Sequence, residues 1–321
     1  MLQVASHPVP HFSMMDRVSY HASPVASPPS LQLPRNLARP PFAEVERSAV
    51  TVIAPELADA PFEYIRRYLA GQAPQMIAAV NMLSIPSSLP KSRLPASLDA
   101  AVRPTSYPSS SLVFPTHVLA VSSSKSSPSS PSTPTAASFA AQAQMPSSAT
   151  VPLYPTHSLV LAAHCTLLPQ LPTSKPSSKA TALNLPVVPL TVPDAATFPH
   201  LHAFLHTKRA DTLLVTLLPS LQSSLPAAHS PSSSGSSRSY VSQFSSEKLL
   251  RLAQALASTA YSQNGPQGAL QCLMAHAKVV NGLWKNTCAL GIFDTELWGV
   301  MDLAWEVILA ALTRIVEIQR R

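Results

Sequence analysis

Stretches rich in proline and serine decide what this chain can fold into, because they chop it into short apolar blocks. Proline fills 34 of its 321 positions, about twice the ~5% of an average protein. Residues 1–50 hold Pro8, Pro10, Pro24, Pro28, Pro29, Pro34, Pro40 and Pro41 without a sustained hydrophobic period. Spacers of similar composition recur near residues 122–149, 170–183 and 220–243. Such segments lack the apolar surface that offsets the entropy of ordering, and they read as disordered. Hydrophobic residues still make up 46% of the chain, so the blocks between the spacers must be rich enough to build a core. The expected organisation is a disordered N-terminus over 1–50, a short helical arm over 51–110, and one folded module over 111–321 with three disordered insertions.

Hydrophobic periodicity assigns the blocks. Pro61 suits the start of a helix, with Phe62, Ile65, Tyr68 and Leu69 on one face and Gly71 at its end. Gln75–Leu83 follows as a second short helix. Leu112–Val121 and Val151–Val160 echo each other through an aromatic-Pro-Thr-His core and read as a hairpin with an oversized loop. Loop-closure entropy grows only logarithmically with length, so the insertion is tolerable; the prolines within each run point to edges or bulges. Ser158–Leu168 reads as a short helix and Leu185–Val192 as a third strand. Asp194 is placed to cap a helix carrying Phe198, Leu201, Phe204 and Leu205, and Ala210–Leu218 is another helix. The C-terminal third has helical spacing over Ser245–Tyr261 and Gln267–Cys288, parted by a Gly265-Pro266 turn, and over a last helix capped by Asp294. The fold class is α+β, a small sheet packed with a helical C-terminal bundle.

Glycine is scarce. Its positions, 71, 235, 265, 268, 282, 291 and 299, spell no G-x-G-x-x-G, G-x-x-x-x-G-K or G-x-S-x-G. Loops that cradle phosphate need glycine for close backbone approach, which speaks against dinucleotide and P-loop enzymes. Gly265 and Gly268 have the G-x-x-G spacing of a KH clamp, but Pro266 and Gln267 between them bring no charge. The net charge of +7 is spread as +2 over 1–110, +1 over 111–150, +3 over 151–245 and +1 over 246–321. Nucleic-acid binding calls for a patch or stripe. Cys165, Cys272 and Cys288 are far apart and odd in number, which fits free thiols in a reducing compartment better than disulfides. The first ten residues lack the basic start and apolar run of a signal peptide. Leu297–Ile318 carries Asp302 and Glu306 at mid-length, where carboxylates are costly in a bilayer. An intracellular protein without a membrane span is expected.

Candidate chemistry is sparse. His202 and His206 have the i, i+4 spacing of one helix face, with His200 nearby, but a metal wants further ligands that no Cys or carboxylate pattern offers. A partly exposed helix face is the expectation for them. His157 could serve Cys165 as a base with Asp194 orienting it, yet nothing in the spacing brings them together. Asp302 and Glu306 read as a solvent-facing stripe. No catalytic residue, cofactor or metal is expected. Contact with another protein is the better prospect: Lys208 and Arg209 stand at a helix junction, and Trp298 is an aromatic of the kind that anchors cores and interfaces alike. Trp284 and Trp305 are assigned to the core. Ser23, Ser27, Ser127, Ser130, Thr133 and Ser230 each precede proline within a spacer, and phosphorylation there would add about −1.5 to −2 charge per site.

Two stretches resemble the BTB/POZ fold, a protein-interaction module. Tyr154–Ala163 is similar to its strand-to-helix segment, and Leu190–Asp194 running through Phe198 to Thr207 is similar to its third strand and the helix after it. A closer resemblance rests on Phe114–Ser124, Leu185–Leu190, His206–Leu214 and Leu283–Asp294 continuing to Asp302–Val307. These are similar to the clampless family, regulators of sexual development in mushroom-type fungi that are needed for clamp-cell formation and dikaryotic growth. The first 50 residues add nothing to the likeness. The resemblance implies a nuclear, non-enzymatic regulator that binds transcription regulators of the mating pathway, with no catalytic residues to carry over. The alternatives are a divergent α+β hydrolase and a direct DNA-binding factor.

Overall fold

The structure, a computed structural model, describes residues 33–103, 112–124, 150–172, 174, 182–226 and 239–320. The six Ser/Thr-Pro sites and half or more of each expected insertion lie outside these residues. Six strands make one sheet: β1 (Leu83–Ser84), β2 (Ser88–Pro90), β3 (Ser97–Val102), β4 (His117–Ser123), β5 (Thr150–Thr156) and β6 (Ala182–Val192), in the order β1-β3-β6-β4-β5-β2. Neighbours are antiparallel except for the parallel β4–β6 pair. β1 and β2 hold opposite edges although only residues 85–87 separate them, so the sheet curls until its edges approach. Leu83, Ala100, Val118, Ala120, Val151, Leu153, Leu185 and Val187, drawn from five strands, form one buried cluster. Side chains alternate along a strand, so Leu119 and Val121, also buried, serve the opposite face.

The echoing segments pair as a hairpin, His117 opposite Thr156 and Ala120 opposite Leu153. Proline is rare in central strands because it cannot donate to a ladder, yet β6 lies in the middle of the order and contains Pro186 and Pro189. Its register explains this. Residues 182–186 pair with β3 on one side, and residues 187–192 pair with β4 on the other. Each half of β6 is therefore close to an edge.

From Arg35 on, the segment assigned to the leader shares one body with the described residues of the arm. Among the described residues burial begins at Leu37, with Val45 and Val50 following, and a short helix α1 (Arg47–Thr51) forms before the boundary expected at residue 50. Arg47 Nη1 holds this turn by donating to the carbonyls of Ala58 and Ala60, at 2.6 and 2.8 Å. α2 (Phe62–Gly71) buries Phe62, Ile65 and Leu69 but leaves Tyr68 exposed, and α3 (Ala73–Met82) follows at once. The expected helical arm also supplies β1, β2 and β3. α2 packs on α4 (Ser158–His164), and α3 packs on α5 (Phe198–Thr207). α6 is Ala210–Leu217.

The C-terminal helices α7 (Ser246–Ala289) and α8 (Thr295–Gln319) pack on each other. α7 is broken at Gly265, whose φ of 67° and ψ of −177° lie in a region that only glycine enters readily. Pro266 then starts the second limb, where its missing N–H is no loss, and its carbonyl accepts from Gln319 Nε2 at 2.8 Å. Asn286, wholly buried on the second limb, ties this bundle to the sheet. Its Oδ1 accepts from Asp194 N (2.9 Å), and its Nδ2 donates to Asp194 O (2.6 Å) and Thr197 Oγ1 (3.0 Å). Gly282, one turn earlier, permits the contact: a Cβ there would stand 2.4 Å from the Asp194 carboxylate.

Candidate partner-binding site

The turn between α7 and α8 collects two of the three residues assigned to partner contact. Asp294 caps α8, its Oδ1 accepting from Leu297 N at 3.0 Å, and its Oδ2 accepts from Lys208 Nζ at 2.8 Å. Lys208 ends α5 in the left-handed region, φ 53°. Its ammonium lies 5.2 Å from the Phe204 ring centroid and 3.4 Å from His164 Nδ1. The side chains of Lys208 and Asp294 are only 19% and 17% exposed. Burial pulls the Lys208 ammonium below its ordinary value, with Asp294 opposing. Burial alone would raise the Asp294 carboxyl, but the Lys208 charge and the hydrogen bonds from Lys208 and Leu297 leave it below its ordinary value. Burial, then the Lys208 charge, pushes His164 down to about 2 and keeps it neutral.

Lys208 is thus an internal fastening. Trp298 is another: it is 2% exposed, and its indole N–H donates to the Ile292 carbonyl at 2.9 Å. The Arg39 guanidinium covers its ring at 5.3 Å and pairs with Asp302. Arg209 keeps an exposed side chain, but its fork is engaged with Asp211 through Nε–Oδ1 (2.8 Å) and Nη2–Oδ2 (2.5 Å). A Lys-Arg pair at a helix junction reads as exposed in sequence; only the fold reveals a carboxylate 86 residues away. Trp305 is buried, whereas Trp284 is half-buried and donates to Ala38 O at 2.7 Å. Asp302 and Glu306 line a groove of about 720 Å³ together with Trp305, Arg35 and Arg39.

The catalytic arrangement considered in sequence is not assembled. His157 Nε2 sits 2.9 Å from the Val113 carbonyl, and Asp194 Oδ1 accepts from the amides of Ala196 and Thr197 at 3.0 and 3.3 Å. Burial pushes the Cys165 thiol up to about 12, away from the thiolate form a nucleophile needs. His202 and His206 are less exposed than expected. Their rings stack at 4.3 Å, and His157 meets His206 at 5.3 Å. Burial lowers all three, His206 to about 4. Among the described residues no group of three or more metal-ligating side chains is arranged to hold a metal.

Beside the α7–α8 turn lies a groove of about 350 Å³ between α1 and residues 165–171. Val45, Ala49, Val52 and Ile53 line it from one side, and Leu168, Pro169 and Leu171 from the other. The second side is fixed to the turn: Thr166 N donates to Gly291 O and Leu167 N to Leu290 O, both at 3.2 Å, and Cys165 bridges Ile292. Gly291 has φ +63°, and a Cβ on it would stand 1.9 Å from Thr166 Oγ1, so this join requires glycine. Val52 is 68% exposed and Leu167 63%. Phe42, 75% exposed, stands edge-on to Phe293 at 5.1 Å. Exposed apolar side chains gathered around a groove are the usual mark of a surface that another molecule covers. Sequence reasoning missed it because α1 fell in the Pro-rich leader and residues 170–171 in a spacer.

The pattern of the clampless protein 1 N-terminal domain matches residues 40–193, and that of the clampless protein 1 C-terminal domain matches residues 211–320. The first match starts within the segment that the motif likeness leaves out, and it takes in α1 and both sides of the groove. No curated protein and no solved structure matches the chain. The two spans share one compact unit, Arg35–Arg321, in which the sheet and the C-terminal helices are fastened by Asn286 and Lys208. The chain therefore belongs to the clampless family, a regulatory family tied to clamp formation.

Proposed function

We propose that this protein regulates clamp-cell formation and dikaryotic growth from the nucleus, by binding transcription regulators of the mating pathway and without catalysing a reaction. The observation that carries the reading is the pair of clampless domains, which together span nearly all of the described chain. Two features support an interaction role. His157, Cys165 and Asp194, the residues weighed for catalysis, are each engaged in internal contacts or held in an unreactive form. The groove beside the α7–α8 turn offers apolar surface at its rim. The BTB/POZ-like order of strands and helices belongs to the same reading, as an interaction module.

The test is proximity labelling from the full-length protein in a mating-competent strain, combined with deletion of the gene. Loss of clamp cells on deletion, with labelled nuclear transcription regulators, is the expected result. Normal clamps in the deletion strain, or labelling confined to proteins outside the nucleus, would overturn the proposal.

A further inference from the structure

We infer that the groove between α1 and residues 165–171 receives an amphipathic, positively charged segment of a partner protein. This rests on the interaction role proposed above and specifies the surface and the chemistry of its occupant. The groove supplies the apolar half: Val52 and Ile53 from one side and Leu168 and Leu171 from the other, with exposed Leu167 at the rim. The stretch around it supplies the charge. Residues 44–63 hold five carboxylates, Glu44, Glu46, Glu56, Asp59 and Glu63, against one arginine, Arg47. That is a net −4 in a chain of net +7.

The cations nearby do not neutralise these carboxylates. Arg47 donates to the Ala58 and Ala60 carbonyls and covers the Phe62 ring, while Arg66 donates to Ala163 O at 2.9 Å. Glu46 lines the groove, and among the described residues no cation pairs with Glu44, Glu46, Glu56 or Asp59. Glu46 at the apolar walls, on a stretch rich in carboxylates, disfavours nucleic acid and anionic lipid and attracts a cationic apolar segment. The net charge of +7 gives a cationic peptide no general attraction, so its loss on substitution of α1 and its flanks would report this locality.

The test uses the full chain and two fluorescein-labelled helical peptides, one of leucine and lysine and one with glutamate in place of every lysine. Anisotropy should show the lysine peptide binding at least tenfold more tightly, with a slope against salt. Val52→Asn makes a side chain that is already 68% exposed polar without adding charge, so the fold should survive, and it should weaken the lysine peptide about tenfold. Glu46→Lys with Glu56→Lys should reverse the preference between the peptides. Equal binding of both peptides, or binding unchanged by Val52→Asn in a protein with the wild-type melting point, would overturn the inference. A photo-crosslinker at position 53, used in mating cells, identifies the occupant. A cross-link to a Lys/Arg-rich apolar segment of a second protein supports the inference; a cross-link to this chain's own residues or to a second copy overturns it. Either failure would leave the proposed nuclear role standing if the regulators are still labelled by proximity.

Discussion

At the scale of single residues, the groups that look most available in the sequence are the ones the fold encloses. Breaking a buried ion pair from one side strands the other charge, so Lys208→Met should cost about 2–3 kcal/mol, the lower end of the buried range because both side chains keep some solvent contact. Arg209→Ala removes a guanidinium that is more than half exposed, although Asp211 beside it is buried, and should cost less than Lys208→Met, about 1 kcal/mol. Urea melts of the two variants decide the order. The stacked histidines make a second statement about stability. Burial holds His157, His202 and His206 below the ordinary histidine value, with His206 at about 4. The unfolded chain therefore takes up protons first as pH falls, and His206 costs the folded state stability from about pH 6.5 down to 4, by up to about 1.4 kcal/mol per pH unit, with His157 and His202 acting in the same direction. His206→Leu should flatten that slope while leaving stability at pH 8 nearly unchanged. A slope identical to wild type would show that His206 does not carry it.

At the scale of elements, the decisive joins run between segments distant in sequence. Asn286→Ala would leave the backbone N–H of Asp194 without a partner, while the Asp194 C=O and the Thr197 hydroxyl keep the bond between them. An orphaned buried group costs roughly 1–3 kcal/mol, so a loss of about 2 kcal/mol is expected. Hydrogen exchange should speed up at residues 194–198 and in the second limb of α7 together; acceleration in one alone would show that the link does not couple them. The sequence could be read wherever structure follows from local chemistry. The Gly265-Pro266 break, the caps at Asp294 and the apolar stripe of Phe198, Leu201, Phe204 and Leu205 all follow from neighbours in the chain. The hairpin of β4 and β5 was legible too, because its two halves repeat a pattern. What was not legible depends on partners supplied from afar. β1, β2 and β3 are short or weakly apolar and become strands only because β5 offers an edge to β2, β6 one to β3, and β3 one to β1. α1 and the packed residues before it hide among prolines, and the groove they line was invisible for that reason. An asparagine on an otherwise apolar helix face was the one local hint of the Asn286 clamp.

At the scale of the whole molecule, the two family spans meet at a segment that belongs to neither match. Residues 194–210 contain α5 and Lys208. The upstream end of that segment is bound by Asn286, and Lys208 is bound by Asp294 from the far side of the bundle. Two domains joined by a slack linker would unfold independently. Here the linker is itself clamped at both ends by the C-terminal span, so sheet and bundle should lose structure together. Reporters for each span already exist: Trp284, Trp298 and Trp305 all lie in the C-terminal match, while Cys165 is buried in the N-terminal one. With Cys272→Ser and Cys288→Ala in place, tryptophan fluorescence and pulsed thiol labelling of Cys165 should give urea midpoints that agree to within about 0.3 M, with matching slopes. In the same background, Lys208→Met should shift both midpoints down by the same amount. Midpoints that separate by about 1 M in the unmutated fastening would mean that the halves are independent, and that the contacts of Asn286 and Lys208 align the two spans without uniting them.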